Sequence, residues 1–124
     1  MTRRSSRDPQ AQLPLTPVVL HILLALAEGD RHGYAIAREV DSATNGEIRM
    51  GPGTLYGSIQ RLLAAELIEE STHRPKADEA DARRRYYYKM TALGRSALHL
   101  ELERLGRIVA LAHTKRVLRG PEPA

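Results

Sequence analysis

Gly53-Thr54-Leu55-Tyr56-Gly57-Ser58-Ile59-Gln60-Arg61-Leu62-Leu63-Ala64-Ala65-Glu66 decides the fold, because it presents two different faces at helical period. Over the helix expected at 54–66, Leu55, Ile59, Leu62 and Leu63 fall within about 100° of arc and make a core stripe. Thr54, Gly57, Ser58 and Arg61 share the opposite face, which is polar and small. Such a helix packs on one side and offers the other to something that must come close. Gly51-Pro52-Gly53 breaks the chain ahead of it.

Upstream, Thr16-Pro17 is a helix start, with Thr as cap and Pro where its missing N–H costs nothing. The first helix is expected to run to about Glu28, with Gly29 as its stop. Val19, Ile22, Leu23 and Leu26 make one face and Leu20 and Leu24 another. A helix so apolar all round must be covered on both sides, here by another element or a second subunit. Asp30-Arg31 opens a second helix, about His32 to Ala43, ended by Asn45-Gly46. Its inner side is Tyr34, Ile36, Ala37 and Val40, and Tyr34 at its start is also a candidate DNA contact. His32 at that start reads as a packing and capping residue. Glu47-Ile48-Arg49-Met50 alternates polar and apolar, the period of a short half-buried strand.

Downstream, Leu67 to Thr72 and Arg84 to Met90 read as two strands separated by a polar, alanine-rich loop containing Pro75. Tyr86, Tyr88 and Met90 alternate with Arg85, Tyr87 and Lys89, which makes Tyr86 and Tyr88 the anchors of this hairpin in the core. Thr91 caps a last helix extending to about Leu118. Leu98, Leu102, Leu105, Val109 and Ala112 follow spacings of four, three, four and three, a coiled-coil-like seam without a partner in its own chain. With Leu20 and Leu24, these residues form the expected dimer interface.

The organisation expected is a disordered basic arm (1–14), a compact domain (15–91), a dimerisation helix (92–119) and a disordered tail (120–124). The fold class is mostly α with a small antiparallel β wing. With 124 residues there is room for one domain and an appended element. No cysteine is present, which removes disulfides, thiolate metal sites and cysteine nucleophiles, and makes a reducing cytoplasm the expected compartment. The longest apolar stretch, Val18 to Ala27, is interrupted by His21 and falls far short of the ~20 residues of a membrane span.

The net charge of +4 and sequence pI of about 9.8 suit a polyanion partner. From His73 to Lys89 six basic residues, including Arg74, Lys76, Arg83, Arg84 and Arg85, face three acidic ones. Residues 17–52 carry three basic residues against five acidic. The positive charge therefore lies outside the first two helices. The order helix, helix, short strand, helix, strand, loop, strand is that of a winged helix-turn-helix, with double-stranded DNA as the partner. The third helix suits a major groove about 12 Å wide. There Gly57 allows close approach, and Thr54 and Ser58 can donate to phosphate or base edges. Arg61 can make a bidentate contact to guanine, and Tyr56 packs its ring while its hydroxyl reaches a phosphate.

These residues resemble the PadR-type transcriptional regulators. The likeness is carried by Leu23-Leu24-Ala25-Leu26, His32-Gly33-Tyr34, Gly53-Thr54-Leu55-Tyr56, Arg61-Leu62, Leu67-Ile68-Glu69 and Arg84-Arg85-Tyr86-Tyr87-Tyr88, followed by Thr91 and Gly94-Arg95. It covers roughly residues 15–95. The resemblance implies a homodimer that represses transcription from a palindromic operator, with Thr54, Tyr56, Ser58 and the wing arginines on DNA and the C-terminal helix dimerising. A single such helix matches the short branch of the family. Glu66 departs from the pattern, which usually has glycine before the Leu-Ile pair, and the last helix lacks the tryptophan of members with multidrug pockets.

A small hydrophobic or aromatic effector is argued instead from the cavity a dimer would enclose near Leu20, Leu24 and the Leu98 to Val109 region. A second reading, from another class, is a protein-interaction module that docks its last helix on a partner. The five histidines (21, 32, 73, 99, 113) are scattered, so neither a metal site nor any cofactor is expected. No nucleophile or paired-carboxylate constellation supports an enzyme. Gly51-x-Gly53-x-x-x-Gly57 misplaces the third glycine of a phosphate loop.

Overall fold

Thr16 starts the first helix as its sequence demands: the hydroxyl accepts the Val19 N–H at 3.2 Å, with Pro17 at the first helical position. This helix is α1 (Pro17–Ala25) in a computed structural model that describes residues 7–71 and 86–120. It is followed by β1 (Arg31–His32), α2 (Gly33–Ala43), α3 (Pro52–Ala64), β2 (Ile68–Ser71), β3 (Tyr87–Met90) and α4 (Ala92–Thr114). The three strands form one antiparallel sheet in the order β1-β3-β2. Ile22 and Leu23 of α1, Ile36 and Val40 of α2, Leu55, Ile59 and Leu62 of α3, Ile68, Tyr88 and Leu98 close a single core.

α1 ends at Ala25 rather than near Glu28 because its last turn tightens, Leu26 N–H bonding both Ile22 and Leu23 carbonyls and Ala27 N–H bonding Leu24. The Arg31 side chain donates to the freed Ala25 carbonyl at 2.7 Å, placing a cation where the helix dipole is negative. Asp30-Arg31, whose chemistry predicts a helix start, instead leads into β1, and Arg31 and His32 pair with Tyr88 and Tyr87. His32 still caps α2, its Nδ1 accepting the Ala35 N–H at 3.0 Å.

Glu47 to Met50 pairs with no strand among the described residues. Its alternation reports burial alone, Ile48 and Met50 packing on the core while Glu47 and Arg49 face out. What holds this turn is Thr44, whose hydroxyl donates to Val40 O at 2.8 Å and accepts the Ile48 N–H at 3.0 Å. Asn45 (φ 53) and Gly46 (φ 80) reverse the chain between α2 and α3.

α3 starts two residues earlier than expected, at Pro52, and ends in a Schellman motif. Leu67 N–H bonds Leu62 O, Glu66 N–H bonds Leu63 O, and Glu66 itself sits at φ 61. The glycine that the family pattern prefers there would adopt this left-handed conformation without the cost of about 1–2 kcal/mol that a side chain brings. The α4 N-terminus is seated on the same corner. Thr91 accepts the Gly94 N–H at 3.0 Å and donates to Glu66 O at 2.6 Å, while its own N–H bonds Leu67 O at 3.1 Å.

The alternation read at 86–90 does not hold. Tyr86 is exposed, whereas Tyr87 and Tyr88 are both buried. β3 is the central strand, paired at both edges, and its two faces are covered by different groups: Tyr88 joins the core, and Tyr87 on the other face packs edge-on against His32 with ring centroids 5.5 Å apart. The arm expected over 1–14 also contains structure, a 3-10 turn at Pro9–Gln12 packed on α4. Asp8-Pro9 makes it, the Asp8 carboxylate accepting the Gln10 N–H at 2.9 Å. Next to it Glu101, buried in α4, accepts the Leu15 N–H at 2.7 Å and a bond from Arg104 Nε. α4 stops at Thr114, short of Leu118, with Arg116 at φ 62 beyond it.

Gly94 has no room for a side chain, since a Cβ would lie 2.0 Å from the Leu67 carbonyl oxygen. Gly94→Ala is therefore expected to cost about 3 kcal/mol in urea unfolding, as overpacked sites do; an unchanged midpoint would refute this seating of α4. The Arg104 hydrogen bond, aided by the Leu15 N–H and the Arg104 charge, outweighs burial and holds the Glu101 carboxyl below its ordinary 4.5. Because folding lowers this pKa, the stability it contributes is fully present above about pH 4.5 and is lost as the pH falls through the folded-state value. Glu101→Gln is expected to be less stable at pH 7 and to lose less on acidification than the unmodified chain. Parallel stability profiles for the two would contradict the assignment.

Candidate nucleic-acid interface

α3 leaves Thr54, Tyr56, Gln60, Arg61 and Ala64 exposed and Gly57 half-buried. Ser58, expected on this face, is only 1% exposed. At 100° per residue it lies beside Leu55 and Leu62, three before and four after, on the margin of the core stripe. Its hydroxyl accepts from Arg61 Nη2 at 3.2 Å, so it holds the arginine instead of meeting a ligand itself. Gln60 takes its place on the exposed face, and its side chain makes no hydrogen bond to its own chain among the described residues. Its position 100° from Ile59 was available from the heptad arithmetic, but a face defined by small polar residues passes over it.

The glycines of this face are not required by packing. A Cβ at Gly53 would meet nothing within 4 Å, and one at Gly57 would meet only Arg61 Nη1, in ordinary contact at 3.7 Å. Gly33 is different, with the Tyr56 ring at 3.1 Å from its would-be Cβ. Tyr56 thus braces α3 against the start of α2 while remaining 40% exposed.

Tyr34 is exposed and not on the inner side of α2, because at 100° per residue it lies about 160° from Ile36 and about 120° from Val40, the fully buried side chains of that helix. Its ring lies near-parallel to His32 at 6.4 Å and under the guanidinium of Arg38 at 5.9 Å. Arg38, four residues after Tyr34, is a cation of this surface that the charge count alone did not single out. Arg31, His32, Tyr34 and Arg38 line a shallow cavity of about 360 Å³ with Ala35, Glu39 and Ser42.

The hairpin is fixed at its base. Ser71, buried at the end of β2, donates to the Asp30 carboxylate, and Lys89 pairs across strands with Glu69 at 3.5 Å. Burial, and then the facing Glu70 carboxylate, push the Tyr88 phenol above its ordinary pKa, so it stays protonated. Arg74, Lys76, Arg83, Arg84 and Arg85 lie outside the described residues.

Of the expected dimer residues, Leu98 is already spent in the core of its own chain. The first half of α4 is covered there, with Gly94, Ala97, Leu98 and Glu101 buried. Leu102 is exposed, Leu105, Val109 and Ala112 are half-buried, and Ile108 and Leu111 are exposed beside them. Leu24 on α1 is exposed too, while Leu20 packs partly on the core. Among the described residues no His, Cys, Asp and Glu cluster could hold a metal, and no helix is long and apolar enough to cross a membrane.

Residues 22–100 match the family model described as the transcriptional regulator PadR-like family. The chain is 36% identical over 84 residues to an uncharacterized protein of Lysinibacillus sphaericus, covering 68% of this chain and 71% of that one. It is 35% identical over 95 residues to a transcriptional regulator of Mycobacterium tuberculosis, covering 74% of this chain and 81% of that one. A crystal structure of a PadR family transcription regulator from Clostridium difficile shares the fold, with a TM-score of 0.63 at 22% identity, over 80% of this chain and 97% of that one.

Gly57→Ala separates packing from recognition. The substitution is expected to raise thermal stability, by about 1 kcal/mol as an interior helical glycine gains a side chain, and to weaken duplex binding measured by fluorescence anisotropy. Binding left intact would show that α3 needs no close approach at Gly57.

Proposed function

The chain belongs to the PadR-like family of transcriptional regulators, and from that premise we propose that it is a homodimeric repressor of a palindromic operator. As a member of that family it regulates transcription and is not an enzyme. The observation that carries the finer reading is α3 itself, a helix anchored by Leu55, Ile59 and Leu62 whose outer face is small at Gly53 and Gly57 and polar at Thr54, Gln60 and Arg61. That face enters the major groove. Tyr34, Arg38 and Tyr56 flank it and take phosphates, and the wing arginines Arg83, Arg84 and Arg85, with Arg74 and Lys76, add affinity without sequence preference.

The second copy covers Leu24, Leu102, Ile108 and Leu111, apolar side chains that α1 and the outer half of α4 leave exposed. The two α3 helices then lie about 34–36 Å apart, one turn of DNA. A small hydrophobic or aromatic effector releases the operator from a depression of about 620 Å³ on α4, lined by Leu98, Leu100 and Leu102 with Arg95, Ser96 and His99, which the second copy roofs. The protein acts in the cytoplasm.

Footprinting of the DNA upstream of the protein's own gene tests this reading. A protected palindrome with half-sites one helical turn apart, bound by a dimer and weakened steeply by salt, is the expected result. Salt-independent binding, or a monomer at operator-saturating concentration, would count against it.

A further inference from the structure

Only two of the exposed α3 side chains can form a two-pronged hydrogen bond. Thr54 and Tyr56 each offer a single hydroxyl, and Gly53, Gly57 and Ala64 offer none. Gln60 presents an amide that matches adenine N6 and N7, and Arg61 a fork that matches guanine O6 and N7. The open positions Gly53 and Gly57 keep the helix surface low beside them.

We propose that Gln60 and Arg61 together select the bases of each half-site, with Ser58 as the positioning residue of Arg61, and that the half-site carries an adenine and a guanine on neighbouring base pairs. This rests on the DNA-binding reading above. The two residues rise only about 1.5 Å along the helix, less than the 3.4 Å between base pairs, and point about 100° apart around it, so their side chains diverge from one level of the groove onto neighbouring steps. One base pair cannot hold both an adenine and a guanine, so the two contacts fall on adjacent pairs.

Ser58 fixes the arginine. Its oxygen is 1% exposed as a residue and accepts from Nη2 at 3.2 Å, while the Gly57 backbone leaves the Nη1 end free alongside. One of the five guanidinium donors is used inside the protein and the others keep a set direction, which removes part of the ordering cost of binding.

The test is selection from a randomised duplex pool with the full-length protein and its Gln60→Ala, Arg61→Lys and Ser58→Ala variants. The unmodified chain is expected to enrich adjacent A·T and G·C pairs. Gln60→Ala should lose about tenfold or more discrimination at the A·T pair alone, and Arg61→Lys the same at the G·C pair. Ser58→Ala should relax the G·C pair while leaving the A·T preference and binding to unrelated DNA unchanged, a pattern that a purely structural role would not produce. Gln60→Ala with an unaltered motif, or Ser58→Ala weakening every position equally, would overturn the proposal while leaving DNA binding in place. Failure of the unmodified chain to enrich any duplex would instead remove the DNA-binding reading on which it stands.

Discussion

The corner at Glu66-Leu67 orients everything else. Two carbonyls there receive the Thr91 hydroxyl and N–H, and the Gly94 backbone presses against Leu67 with no space for a Cβ. Three elements meet at this point: the end of α3, the start of β2 and the start of α4. The direction of the helix that faces outward for reading and the direction of the helix left uncovered at its far end are therefore set by a few backbone bonds. Glu66 adopts a left-handed conformation because the Schellman bonds satisfy the last carbonyls of α3, and that gain offsets the conformational cost.

Much of this was legible from local chemistry. Thr16, His32 and Thr91 cap the helices that their positions predict, and the α3 stripe of Leu55, Ile59 and Leu62 is buried as its period requires. The failures in the sheet share a cause, which is long-range pairing. β1 has two residues, too few to show a period, and its partner lies more than fifty positions away. That unseen strand brings the His32 ring onto the outer face of β3, so Tyr87 and Tyr88 are buried together where alternation separates them. At Glu47 to Met50 the alternation was real, but it described burial without a ladder.

On the interface the same distinction applies at the scale of one side chain. Ser58 is polar and small, which on a helical wheel assigns it to the outer face, yet the adjacent Leu62 draws it inside. A hydroxyl can be buried at that margin because Arg61 satisfies it. Gln60 was overlooked for the complementary reason, since nothing about its type marks it until the exposed surface is drawn. The far end of α4 followed its pattern more closely: the seam loses cover just beyond Glu101, where no further element among the described residues lies on it.

Arg31 belongs to two elements at once. Its side chain closes the C-terminal end of α1 at Ala25, and its backbone is a rung of the sheet opposite Tyr88. The C-terminal end of α1 and the central strand β3 are consequently tied through one residue, whose side chain bridges the connection that its backbone ends. The guanidinium is thus a cross-brace inside the fold, one side chain holding the end of a helix to the edge strand of the sheet.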